Sequence, residues 1–162
     1  MSTHFPTVPV ELAQKYASLK ADPPLPLVLV ADDEPLIAET LSAILRSSGL
    51  ASLTACDGLA ALELTQVIPP DLLISDVSMP RMNGFDLAVE VNRTIPDCEI
   101  ILISGHSSAK DLVEMHHPAG SDFLLLMKPI HPADLLEHVN DCLHRRGWQS
   151  PAHIASKSPT SV

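Results

Sequence analysis

Basic residues are scarce in this chain: Lys and Arg number 10 against 20 Asp and Glu, for a formal net charge of -10. Binding to nucleic acid through phosphates needs a basic face, so no nucleic-acid partner is expected, although an acidic balance also simply keeps a protein soluble. Cysteine is rare as well. The 3 present, Cys56, Cys98 and Cys142, lie far apart and form no CxxC pair, which argues against a disulfide framework or a thiolate zinc site. Free thiols suit a reducing, cytoplasmic setting. The N-terminus lacks a basic start followed by a long apolar run, so it does not read as a secretory signal. No apolar stretch approaches the roughly 20 residues that span a bilayer, so no membrane insertion is expected. A glycine-rich loop is also missing where a dinucleotide site would need one, because Asp32-Asp33-Glu34 stands there.

What is present is a chain of 162 residues, 46% hydrophobic and 19% charged, which suits one globular domain with a real core. Pro23-Pro24-Leu25-Pro26 marks a break. Residues 1–26 are expected to form an extension with a short amphipathic helix near 10–20, residues 27–146 the domain, and residues 147–162 a loose tail. Within the domain, apolar runs near 27–31, 50–55, 72–75, 100–103 and 123–127 read as buried strands. Helical patterns fill the intervals: 36–46 closed by Gly49, 57–67 capped by Asp57, 85–93, a stretch opened by Ser107 or Ser108 and ended by Pro118, and 132–146 opened by Pro132. Strands alternating with helices predict an α/β fold: a doubly wound, five-stranded parallel sheet with helices on both faces.

The ends of these strands carry the chemistry. Asp32-Asp33 follow the first, Asp76 the third, Ser104 the fourth and Lys128-Pro129 the fifth. Ligand crevices of open parallel sheets lie outside the carboxyl ends of the strands, at the switch point of strand order. Three carboxylates, a hydroxyl and an ammonium are therefore expected to converge there. Two like charges about 4 Å apart cost roughly 4 kcal/mol at an effective dielectric near 20, so something positive must offset them. All-oxygen ligands suit a hard divalent cation, most naturally Mg2+. With Lys128 and Ser104 beside it, an exposed carboxylate becomes a nucleophile toward a phosphoryl group, giving an acyl phosphate.

From about residue 27 to 146 the chain resembles a bacterial two-component response-regulator receiver domain, of the single-domain, chemotaxis-regulator-like kind. The resemblance rests on Asp32-Asp33, on Asp57-Gly58, on Asp76-Val77-Ser78-Met79-Pro80-Arg81-Met82-Asn83-Gly84, on Ser104-Gly105 and on Lys128-Pro129. It implies a flavodoxin-like strand order, 2-1-3-4-5. It also implies roles. Asp76 accepts a phosphoryl group from a sensor histidine kinase or a histidine phosphotransfer protein. Asp33, Asp76 and the backbone carbonyl of Ser78 bind Mg2+, with Asp32 acting through a coordinated water. Ser104 and Lys128 hold the phosphoryl oxygens, Pro129 aims the lysine, and Met79, Pro80 and Gly84 shape the loop over the site. Gly84 is the residue there best able to adopt a positive φ. Such a protein is a phosphorylation-controlled switch in a two-component system or phosphorelay, and its only chemistry is on itself.

The family usually places Tyr or Phe three residues before the lysine, as a ring that turns inward on phosphorylation; here that position is Leu125, with Phe123 on the same strand face. Output is therefore expected not to use aromatic rotation. No segment outside the domain is long enough for an output domain, so the switch is expected to act by binding a downstream protein; a homodimer is allowed. Two other functions compete: an adaptor that keeps the fold without phosphorylation, and a haloacid-dehalogenase-like magnesium phosphatase, which resembles an Asp-x-Asp motif where this chain has Ser78. Each site residue also has a plainer alternative: Asp32 and Asp33 as acids near a helix N-terminus, Lys128 as a snorkelling lysine, Ser104 as a helix-entry hydroxyl. Ser78, Met79 and His106 are candidates for tuning loss of the acyl phosphate, and for His106 a solvent-facing loop position fits as well. His116 and His117 diverge on a helix and read as a surface pair rather than a metal site.

Overall fold

The structure is a computed structural model that describes Glu11, Gln14, residues 24–105 and residues 123–149. Glu11 and Gln14 are helical, as expected near 10–20. The rest of that helix, the helix expected after Ser107, His106, His116, His117 and the tail beyond residue 149 lie outside the described residues.

Five parallel strands form one sheet: β1 (Leu27–Ala31), β2 (Ala51–Ala55), β3 (Leu72–Asp76), β4 (Glu99–Ser104) and β5 (Leu124–Met127), in the order β2-β1-β3-β4-β5. Among the described residues the helices are α1 (Pro35–Ser47), α2 (Gly58–Val67), α3 (Gly84–Thr94) and α4 (Pro132–Arg145). Element bounds fall within about two residues of the sequence reading. β4 runs further than expected at both ends because parallel pairing holds them: Glu99 sits opposite Leu72, and Ser104 opposite Met127.

Side-chain alternation divides the core into two layers. Leu29, Leu53, Leu73 and Leu102 face α2 and α3, where Ala61, Leu87, Ala88 and Val91 meet them. Val28, Val30, Ile74, Ile101 and Ile103 face α1 and α4, where Ala38, Leu45, Leu135, Val139 and Leu143 meet them. Every residue of β1 and β3 is buried. That is why these runs read as continuously apolar rather than alternating.

Helix ends follow local chemistry. The Asp57 carboxylate accepts from the Ala60 N–H at 2.8 Å, and the Asn83 side-chain oxygen accepts from the Asp86 N–H at 2.8 Å. The imidazole Nδ1 of His131 accepts from the Ala133 N–H at 3.2 Å, ahead of Pro132 in the first turn of α4. Gly49, at φ 84, closes α1.

The chain winds from β1 outward to β2, then crosses back to β3 on the other side of β1. The switch point thus lies between the carboxyl ends of β1 and β3, where Asp32, Asp33 and Asp76 emerge.

Gly84 corrects an expectation. It has no positive φ; that conformation belongs to Arg81, at φ 66. Glycine is needed at position 84 for close approach instead, since a Cβ there would sit 2.0 Å from the Asp76 carbonyl oxygen and 2.8 Å from Ser75 Oγ. Alanine gains at most about 1 kcal/mol over glycine in a helix, while a backbone clash of this kind costs more. Gly84→Ala is expected to lower the unfolding free energy by about 2 kcal/mol or more, read as the urea midpoint of unfolding; an unchanged midpoint would show that the α3 entry moves freely.

Candidate functional site

The acidic cluster assembles at the carboxyl ends of two adjacent strands, β1 and β3. The carboxylates of Asp32, Asp33 and Asp76 bring ligand oxygens within 4.8 Å of one another. Asp32 is 2% exposed and Asp76 8% exposed, while Asp33 stands at the solvent edge. The expected exposed nucleophile is thus a buried one. Asp76 is the last residue of β3 rather than the residue after it, and pairing with Ile103 of β4 keeps it inside the sheet.

Lys128 reaches in from the end of β5. Its Nζ lies 3.2 Å from Asp76 Oδ2 and 3.6 Å from Asp32 Oδ2. Its backbone N–H donates to the Ser104 carbonyl at 2.7 Å, and the Lys128–Pro129 peptide is cis. Backbone groups complete the shell: the Ser78 N–H donates to Asp76 Oδ1 at 3.2 Å and the Glu34 N–H to Asp32 Oδ1 at 2.9 Å. Ser104 is buried at the end of the adjacent strand, and Met79 is buried beneath the loop that follows Asp76.

Electrostatics follow from this packing. Burial raises the Asp32 pKa above the usual carboxylate value, against the opposing pull of the Glu34 N–H and Lys128. Burial alone would lower the Lys128 pKa, but the hydrogen bond and charge of Asp76, with Asp32 beside it, outweigh it and the net shift is upward. Among the described residues three carboxylates face one ammonium, so fully ionised this set keeps uncompensated negative charge. Its donors are oxygens, a set that fits a hard divalent cation such as Mg2+.

The structure brings Asp32, Asp33, Asp76 and Lys128 together as expected, with Ser104 and Ser78 alongside. It does not bear on His106. Phe123 packs edge-on against Phe85, ring centroids 6.2 Å apart, and Leu125 lies on the same core layer. One pair escaped the sequence reading. The Arg81 guanidinium, from the loop after Asp76, forms an ion pair with Asp57. The Ala60 N–H, and then Arg81, hold the Asp57 pKa below the usual carboxylate range. Asp57 signalled itself as a cap, but no spacing links it to Arg81, because their strands, β2 and β3, are not neighbours in the sheet.

A family model, the response regulator receiver domain, matches residues 28–140. The chain belongs to that family. Among curated relatives, the receiver resembles the DNA-binding response regulator MtrA of Mycolicibacterium smegmatis, 33% identical over 129 residues that make up 80% of this chain and 55% of that protein. It also resembles the transcriptional regulatory protein PdtaR of Mycobacterium tuberculosis, 38% identical over 121 residues, 73% of this chain and 57% of that one. The chain thus spans little more than half the length of these relatives. Among solved structures, a CheY-like receiver domain from Methanospirillum hungatei superposes with a TM-score of 0.69 at 26% identity, covering 76% of this chain and 97% of that one. The Vibrio cholerae chemotaxis protein CheY4 superposes at 0.63 with 29% identity, covering 73% and 98%. Response-regulator receivers are signalling switches of two-component systems rather than enzymes, they receive phosphoryl groups from histidine kinases, and they bind Mg2+ at an acidic pocket. Membership in this family speaks for the receiver reading over the phosphatase alternative. No helix among the described residues is long and apolar enough to cross a membrane.

A raised carboxylate pKa contributes stability below the ordinary carboxylate value and loses it as pH rises through the folded one. At neutral pH, ionised Asp32 is therefore a cost relative to a neutral isostere. Asp32→Asn is expected to be more stable than wild type by on the order of 1 kcal/mol at pH 7 in chelator, with the gain shrinking as pH is lowered. Urea titrations across pH check this; a variant less stable at pH 7 would mean that attraction to Lys128 outweighs burial.

Proposed function

We propose that Asp76 of this receiver accepts a phosphoryl group from a sensor histidine kinase or a histidine phosphotransfer protein, and that the chain binds a downstream protein partner according to its phosphorylation state. The observation that carries this reading is the contact of the Lys128 ammonium with Asp76 at the edge of the Asp32–Asp33–Asp76 cluster. Asp76 supplies the attacking oxygen; the P–N bond of the phosphohistidine breaks and its electron pair stays on the imidazole. Asp33, Asp76 and the Ser78 carbonyl are the proposed Mg2+ ligands, with Asp32 acting through a coordinated water; bound Mg2+ neutralises charge on the transferring group. Lys128, already beside Asp76, is within reach of a phosphoryl oxygen after transfer, and Ser104 supplies a hydroxyl from the neighbouring strand. Chemistry is confined to the chain itself: acceptance of the group and its loss by hydrolysis.

The output is assigned to protein binding. With a net charge of -10, the chain is poorly suited to nucleic acid, and the DNA-binding named for MtrA is a property of that protein. Readout does not run through an aromatic ring, because Leu125 occupies the usual ring position and Phe123 is engaged with Phe85. A two-state switch moved from 1:99 to 99:1 needs roughly 5.5 kcal/mol of differential binding, to which the contacts of the phosphoryl group with Lys128, Ser104 and Mg2+ contribute.

Incubation with acetyl phosphate and Mg2+, followed by intact mass, is expected to show one added phosphoryl group on wild type and none on Asp76→Asn. Lys128→Ala is expected to slow formation by about 100-fold. A wild-type protein that is folded yet takes up neither phosphate nor beryllofluoride would leave the phosphorylation-independent adaptor as the function.

A further inference from the structure

The loop between Asp76 and α3 is fastened at its far end and in its middle. At its far end, Gly84 packs onto the Asp76 backbone, and its N–H donates to the Val77 carbonyl at 2.9 Å. In its middle, Arg81 sits in the left-handed region at φ 66, a conformation a non-glycine residue holds only when its surroundings impose it. Those surroundings are the start of α2. Asp57 caps that helix and pairs with Arg81, and Gly58 lies so close to Met82 that a Cβ would stand 2.3 Å from the Met82 carbonyl oxygen. The same β2 end also touches the acidic cluster, because the Ala55 carbonyl accepts from the Asp32 N–H at 3.1 Å. An ion pair whose arginine is 59% exposed adds little stability. The pair matters by its place, because Arg81 belongs to the loop that bears Ser78 and Met79 and leads away from Asp76.

We infer that Arg81, held by Asp57, is a positioning residue that sets the affinity of the acidic site for its divalent cation by fixing the loop that carries Ser78. Neither side chain is a ligand. Each acts through the backbone between Asp76 and Gly84, so its loss is felt as weaker cation binding rather than as lost chemistry. The inference rests on the cation-dependent phosphoryl reading above.

The test compares the full chain with Arg81→Gln, Arg81→Lys, Asp57→Asn and the Asp57→Asn/Arg81→Gln double variant. Asp57→Asn keeps a side-chain oxygen for the Ala60 N–H, so the helix cap survives. Mn2+ binding followed by electron paramagnetic resonance, and the Mg2+ dependence of acetyl-phosphate labelling, are the readouts. Arg81→Gln and Asp57→Asn are each expected to weaken cation binding by about tenfold, with the labelling rate at saturating Mg2+ kept within about twofold of wild type. Arg81→Lys should recover most of the affinity, and the double variant should be no weaker than the poorer single one, since both remove the same contact. Unchanged cation affinity in variants beside a wild type that binds and labels normally would overturn the inference alone, and so would a loss of thermal stability in chelator without a loss of affinity. A wild type that binds no Mn2+ and takes no phosphoryl group would overturn the functional reading, and the inference with it.

Discussion

Three carboxylates held within reach of one another, with the Lys128 ammonium against two of them, set the terms for the rest of this structure. Like charges this close repel by several kcal/mol at the dielectric of a protein surface, and Asp32 adds the cost of burial. The fold tolerates this because Lys128 reaches Asp76 and Asp32 together, and because backbone N–H groups from Glu34 and Ser78 satisfy carboxylate oxygens. The remaining negative charge is what a divalent cation would offset.

The sheet makes the arrangement affordable. Its two apolar layers bury β1 and β3 on both faces, so the strands that deliver the carboxylates are buried along their whole length. β5, which delivers Lys128, is an edge strand only partly covered among the described residues. Lys128, at the end of this edge strand, nevertheless meets Asp76 at the end of a fully buried one. Leu125 and Phe123 lie on that edge, Phe123 already engaged with Phe85 of α3, and the partner-binding output we propose would be shaped there by packing rather than by rotation of a ring.

Much of this was legible beforehand. Proline and glycine punctuation, with apolar runs too short for helices, located the five strands and the four helices described after β1, β2, β3 and β5, because buried parallel strands must be apolar on both faces. Asp32, Asp33, Asp76 and Lys128 could be singled out because charge at the end of such a run is expensive without a partner. Other features left no trace in composition or spacing. The positive φ falls on Arg81, which pairs with Asp57, rather than on Gly84, which is needed for its lack of a side chain. His131 serves as a cap through its ring nitrogen, a role that the sequence pattern does not distinguish from an ordinary exposed histidine.

By itself, then, the order of residues determined the alternation of strands and helices and the chemical kind of group at each strand end, since both follow from local pattern and from the cost of burying charge. Only the tertiary structure decided which groups meet. Lys128 touches Asp76 although 52 positions separate them, and Arg81 meets Asp57 across 24. Such contacts depend on strand order and on how closely backbones approach, quantities set by the packing of the whole sheet rather than by any segment of it.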